Sequence, residues 1–537
     1  MVQVTYPGVY IEELPSGVHT ITGVATSVAA FVGWAPQGPT AKATLVQSWS
    51  DYERAFGGLD SRSNLGYAVN QFFANGGQQA YIVRLVSDTS NANTAAAAAA
   101  VMLKDSGNNN FLSIHASSPG LWGNNYGVLA KVSPFDATRF SLSVGYVPDL
   151  TKPTQYSIVE SFPSLSLDPT DSRYVVNVIN AGSNYLQFTS ADVPPSFTIP
   201  STVPTFVTTL TLLLHGADGT VLKPSPLYPG DPSPPSAGAV ATFISQLQAG
   251  GGSGGVNLLT RVPIFNLLCV PGLADLPTIA QLQAFCQGPP RALFIVDADQ
   301  GATVASYVAA NGPDSSIVGS AAINSALYFP WVNAPDPLNE NRSRPFPPCG
   351  FVAGLYAATD ASRGVWKAPA GIGASLVGIS GLAATLTDAE NGQLNPVAIN
   401  CLRTFSAFGS VIWGARTLRG NDEAASDWKY VPVRRFALFL ESSLYNGTQW
   451  VVFEPNAAPL WAQIRLSIGA FMQTLFRQGA FAGTSARDSY FVKCDAETTT
   501  QNDINNGVVN ILVGFAPLKP AEFVVIQIQQ MAGQVQT

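Results

Sequence analysis

One stretch of this chain, Gly251-Gly252-Ser253-Gly254-Gly255, spells a nucleophile pattern. In GxSxG the glycines let a serine sit on a strained turn between strand and helix, and a histidine later in the chain takes its proton. The three histidines, His19, His115 and His215, all precede Ser253, so the required order has no base, and the glycine run has the composition of a flexible linker. Asp297 and Asp299 end an expected strand, where α/β enzymes often bind ligands, but no partner base or metal-ligand set accompanies them. They read as solvated strand-end carboxylates. The histidines are too scattered for a metal site, and HExxH, Walker A and GxGxxG patterns are missing. Catalytic, cofactor-binding and metal-binding residues are therefore assigned as none: the expectation is a non-enzyme without a cofactor.

The remaining composition points the same way. Hydrophobic residues make up 46% of the 537 positions and charged residues 11%, against roughly 25% charged in an average soluble protein, which leaves much neutral surface for partners. A net charge of -7 and a pI near 5.1 argue against a general nucleic-acid binder. Cys269, Cys286, Cys349, Cys401 and Cys494 are widely spaced and read as buried free thiols. Met1 to Pro7 lacks the basic and apolar regions of a signal peptide, and no run of about 18 apolar residues follows, so we expect cytoplasmic synthesis without membrane insertion. On that expectation the sequons Asn341-Arg342-Ser343 and Asn446-Gly447-Thr448 are chance matches.

The chain has room for two or more domains. From Val24 to Val32 a small-residue strand is expected, then a helix capped by Ser50 and Glu53 and ending near Gly57-Gly58. Leu65, Ala68, Val69 and Phe72 give a helix stopped at Gly76-Gly77, and Ala80 to Val86 a strand. The alanine run Ala95 to Ala100 suggests another helix. Residues 111–211 read as mainly β, Arg173 to Val178 included. Lys223 to Pro235 and Gly250 to Gly255 suit linkers or surface loops. Then Val262 to Val270, Ile279 to Cys286, Ala292 to Val296 and Ala302 to Ala310 alternate as strand, helix, strand, helix, which implies a parallel sheet. Asn395-Pro396 opens an expected helix through Ala398, Cys401, Leu402 and Phe405, closed by Gly409; Asn456 precedes another through Ile464, Ile468 and Leu475.

A strand pattern stands at each chain end. Val9, Tyr10, Ile11, Glu12 and Glu13 are set apart by Pro15 and Gly17; Phe523, Val524, Val525, Ile526, Gln527 and Ile528 are set apart by Pro517 and Pro520. Tethered terminal strands either pair within their own chain or complete the sheet edge of a neighbour. Arg403, Arg416, Arg419, Lys429, Arg434 and Arg435 make the C-terminal region locally basic, opposed by Asp422, Glu423 and Asp427. This cluster is either a solvated surface with ion pairs or a releasable docking face.

Tyr6-Pro7-Gly8-Val9-Tyr10-Ile11-Glu12-Glu13, the segment Gly23 to Gly33 and Gly38-Pro39 resemble the opening of contractile tail sheath proteins. Gly364 to Gly371, Tyr430-Val431-Pro432-Val433-Arg434-Arg435, Asn506-Gly507, Lys519-Pro520 and Ala521-Glu522-Phe523 are similar to that family's later motifs. The resemblance implies an α/β and α+β multidomain fold. Its parts would be a strand arm (1–22), an α/β segment (23–105), a β-rich outward insertion (106–255), a non-catalytic subtilisin-like segment (256–345), an inner C-terminal domain (346–515) and a second strand arm (516–537). It also implies six-membered rings of this chain stacked around an inner tube protein, bounded by baseplate and tail terminator proteins, in a phage tail or tail-like particle assembled in a bacterial or archaeal cytoplasm. The terminal arms would interlace neighbours, the tethers at 14–23 and 515–520 would hinge, and Arg416, Arg419, Arg434 and Arg435 become candidate tube or subunit contacts. The rival readings are a hydrolase on the central α/β segment and a static tube or capsid protein.

Overall fold

The computed structural model describes residues 19–87, 95–104, 110–193, 209–226, 237–249, 254–289 and 291–527. They divide into a larger unit, 27–358 with 369–426, and a smaller one, 19–26 with 359–368 and 427–527.

The larger unit is built on an eight-stranded sheet. Six strands run parallel in the order Ala80–Leu85, Ala29–Trp34, Leu267–Cys269, Leu293–Asp297, Ser325–Phe329, Ile399–Phe405. Antiparallel Thr44–Val46 and Gly409–Ile412 close the two edges. Numbered along the chain the parallel strands read 2-1-3-4-5-6, a doubly wound order with one strand added. Parallel sheets are covered on both faces, so their strands are continuous apolar runs; Ala29–Trp34, Leu293–Asp297 and Ser325–Phe329 are buried at every position. On one face Val32, Phe294 and Leu327 share a core with Ile279 and Leu282 of helix Leu276–Gln287. On the other, Phe31 meets Phe72 of helix Asn64–Ala74 edge-on at 5.5 Å.

Strands Tyr126–Val132, Phe140–Tyr146 and Ser157–Leu165, with Thr211–Leu212, form a four-stranded antiparallel sheet in the same unit. Its core is shared with a three-stranded sheet, Ala100–Lys104, Asn110–Ala116 and Leu186–Gln187. The smaller unit packs helices Val431–Gly447 and Ala458–Arg477 with strands Tyr490–Lys493 and Leu512–Phe515 around Phe436, Leu440, Ile464 and Ile468.

Several local expectations are corrected. The alanine run does not form a helix: the Ala97 and Ala100 N–H groups donate to Ala217 and Leu214, so tertiary pairing overrides propensity. Val175–Gly182 is a helix, its Val175 and Ile179 packing on the insertion core. The helix expected from Asn395 is a 3₁₀ turn followed by strand Ile399–Phe405, because Ala398 at a φ of +66° ends the turn and both faces of the strand are buried up to Arg403. Ser48, not Ser50, caps helix Trp49–Phe56, its hydroxyl accepting from the Asp51 N–H. Leu222, Lys223 and Ser225 are buried, so the described start of the proline-rich stretch is no surface linker.

Asp297 is also corrected. It is buried, its Oδ2 accepting from the Gly272 N–H at 2.9 Å and its Oδ1 from the Cys349 N–H at 2.7 Å, while Asp299 is exposed. Burial pushes the Asp297 carboxyl up to about 6, against the lowering effect of the two N–H groups. Folding thus favours its protonated form, so the stability it contributes is present below its unfolded value and is lost as pH rises through about 6. Relative to Asp297→Asn, the protein should gain about 1 kcal/mol on going from pH 7.5 to pH 5. The variant, which leaves one N–H without an acceptor, should be less stable by ~1–3 kcal/mol at pH 7.5. Urea unfolding at both pH values measures this; parallel pH profiles for the two proteins would contradict it.

Candidate assembly site

Of the residues that sequence marks for assembly, Arg434, Arg435 and Phe523 to Gln527 belong to the smaller unit, and Arg416 and Arg419 to the larger. Val9, Tyr10, Ile11, Glu12, Glu13, Pro15 and Gly17 lie outside the described residues, as does Ile528. From His19 onward the chain is held: His19 stacks on Trp450 at 3.9 Å, Ile21 is buried in the core, and the Val24 N–H donates to Ser443 Oγ. A tether reaching Gly23 is therefore shortened by this anchoring.

Strands Tyr490–Lys493 and Leu512–Phe515 pair antiparallel, Tyr490 opposite Phe515 and Lys493 opposite Leu512. Alternation places Tyr490, Val492, Val513 and Phe515 against the helical core, where Phe515 meets Phe436 edge-on at 5.4 Å and Tyr490 Oη donates to Gln473 Oε1 at 2.9 Å. The opposite face is open, with Phe491 lying across Gly514 and Leu512 exposed. The sheet has two strands among the described residues, so each strand keeps one edge without a ladder there. Beyond it Pro517 bridges to Phe481, and Tyr430 Oη donates to Glu522 Oε2 at 3.3 Å. From Phe523 to Gln527, the last described residues, there is no ladder to another described strand, and Phe523, Val524, Val525 and Ile526 are each at least 75% exposed. Among the described residues Phe523 to Gln527 find no strand partner.

Arg403, Arg416, Arg434 and Arg435 of the basic cluster are buried, and Arg419 and Lys429 are half-buried. Arg416 is 1% exposed, donating to the Asn395 carbonyl and to Asp422; Arg419 donates to the Val318 carbonyl. Arg434 donates to Glu441, its guanidinium 4.8 Å over the Trp428 ring, and burial holds its pKa below the usual arginine value. Arg435 makes a two-pronged ion pair with Asp360, at 2.8 and 2.6 Å, and donates to the Thr26 carbonyl; both charged side chains are 3% exposed. These arginines serve the fold. Sequence proximity made a patch of groups that the structure turns inward. It also hid Asp360, 75 positions from its partner.

One feature of this unit lacked a sequence signal. Val451 to Glu454 form a type II turn: Val452 lies at φ −66° and ψ 128°, Phe453 at φ +72°, and the Glu454 N–H donates to the Val451 carbonyl at 3.1 Å. Glycine normally fills the third position of such a turn. Here a phenylalanine does, strained and with its ring fully exposed.

Residues 264–418 match the phage tail sheath protein central domain and residues 423–531 the phage tail sheath C-terminal domain. A tail sheath protein of Vibrio phage KVP40 is 27% identical over 190 residues, 35% of this chain and 26% of that protein. A prophage major tail sheath protein of Pseudomonas aeruginosa is 24% identical over 186 residues, 34% of this chain and 45% of that protein. The alignments thus span about a quarter and under half of these relatives' own lengths. In fold, the sheath of an extracellular contractile injection system, solved in its contracted state, matches over 99% of both chains with a TM-score of 0.56 at 22% identity.

Proposed function

Because this chain belongs to the family of contractile tail sheath proteins, we propose that it is the subunit whose helically stacked six-membered rings enclose an inner tube and contract to drive that tube through a target envelope. The supporting observation is the pairing, in one unit, of a sheet with two strands among the described residues and an exposed apolar tail. Backbone hydrogen bonds from a neighbour's tail, Phe523 to Ile528, or from its arm, Val9 to Glu13, would complete that sheet. Pro517 and Pro520 would serve as the hinge of the C-terminal tether, and Pro15 and Gly17 that of the other end. Contraction moves the units as rigid bodies and draws on a metastable extended assembly.

Of the residues 346–515 expected to line the interior, those in the smaller unit, 427–515, do so; the insertion 106–255 faces outward through its antiparallel sheets, and the parallel strands within 256–345 are the non-catalytic segment likened to subtilisin. Baseplate and terminator proteins bound the assembly, which forms in the cytoplasm of a bacterial or archaeal host as part of a phage tail or tail-like particle, without nucleic acid or membrane insertion. Negative-stain electron microscopy of the intact chain beside a variant lacking residues 1–17 tests this. Hollow tubules from the intact chain, lost in the variant, are expected; an intact chain that stays monomeric when concentrated with its tube would overturn it.

Phe453 belongs to the same reading as an apolar knob for a neighbouring subunit. Phe453→Gly relieves left-handed strain and should raise monomer stability by ~1 kcal/mol. It should also weaken assembly about tenfold or more, as loss of an aromatic anchor does. A stabilised variant that assembles normally would show that the knob contacts nothing.

A further inference from the structure

In open α/β sheets ligands enter the crevice at the carboxyl ends of the strands where the strand order reverses. In this chain that point lies between Ala29–Trp34 and Leu267–Cys269. Trp34 ends the first strand and Pro271 follows the second. Asn64 opens the adjoining helix behind Ser63, whose hydroxyl donates to the Trp34 carbonyl at 2.6 Å. Leu222 and Pro224 from the segment 221–226, and Phe243 from helix Ala237–Leu247, stand where a ligand would enter. Together with Trp34, Asn64 and Pro271 they line a cavity of about 10 Å³.

That space is too small for a nucleotide or any organic ligand, and it is not apolar. Trp34 is 1% and Asn64 2% exposed, and the indole N–H of Trp34 and both polar atoms of the Asn64 amide have no hydrogen-bond partner among the described residues. Buried groups of this kind are satisfied by protein or by ordered water, and a water needs roughly 10–15 Å³ with two to four polar partners. We infer that the ligand crevice of this sheet is sealed by the chain's own segment 221–226 and helix Ala237–Leu247 around one internal water. The water accepts the Trp34 indole proton and bonds to the Asn64 amide. The seal turns a fold that elsewhere carries ligands into a closed core.

A map of the full-length protein at about 2 Å, where buried waters become visible, should show a single peak within hydrogen-bonding distance (~2.7–3.2 Å) of Trp34 Nε1 and the Asn64 amide. An empty cavity in a map that resolves the protein's other buried waters would overturn the water site. Thermal unfolding with millimolar ADP or FMN should give an unchanged melting temperature. A rise with either nucleotide, traced to this crevice by its loss on Asn64→Leu substitution, would overturn the seal.

Discussion

Replacing Val524 and Ile526 together by aspartate should leave the melting temperature of the monomer unchanged and abolish its assembly. Both side chains are about 80% exposed in the isolated chain, so they contribute little to its own core. They share one face of the alternating tail, and a strand added to a neighbour's sheet would bury that face. Burial of two such side chains is worth ~4 kcal/mol in total, or roughly a thousandfold in each association step, before the cost of burying the new carboxylates. Sedimentation of the variant mixed with tube, beside circular dichroism of the variant alone, separates the two effects. Wild-type sedimentation would place the tail outside the interface, and a lowered melting temperature would show that it packs on its own chain.

Removing the Asp360 carboxylate should do the reverse, damaging the fold before any assembly begins. Asp360→Ala leaves the Arg435 guanidinium buried without its counter-charge, and breaking such a pair by deleting one partner costs ~3–5 kcal/mol. The melting transition should fall by on the order of 10 °C. Glu441→Gln offers the contrast: Glu441 is 43% exposed, and loss of its pair with Arg434 should cost less than about 1 kcal/mol. Equal, small effects from the two changes would contradict the structural role assigned to Arg435.

These two predictions mark where sequence reasoning reached and where it stopped. The parallel strands were legible because their burial on both faces makes them apolar runs, as in Leu293–Asp297. The same property misled at Ile399–Phe405: Ala398, Cys401, Leu402 and Phe405 also satisfy helical spacing, and a short run buried on both faces has no period of its own. The tail is marked in sequence by its alternation and its prolines, but a strand also needs a partner, which local pattern does not name. The arginine cluster was not legible, because burial and ion pairing are set by residues such as Asp360 and Asn395 that lie elsewhere in the chain. Composition also misread 222–225: proline and serine signal irregular backbone, and irregular backbone can still be buried.

In the proposed assembly the C-terminal tail of one subunit becomes a strand of another. A cryo-electron microscopy reconstruction of assembled particles at side-chain resolution tests it directly. Phe523 to Ile528 of one subunit should be hydrogen-bonded along the outer edge of Tyr490–Lys493 or Leu512–Phe515 in its neighbour. A tail folded back on its own unit, with those edges left to solvent, would contradict it.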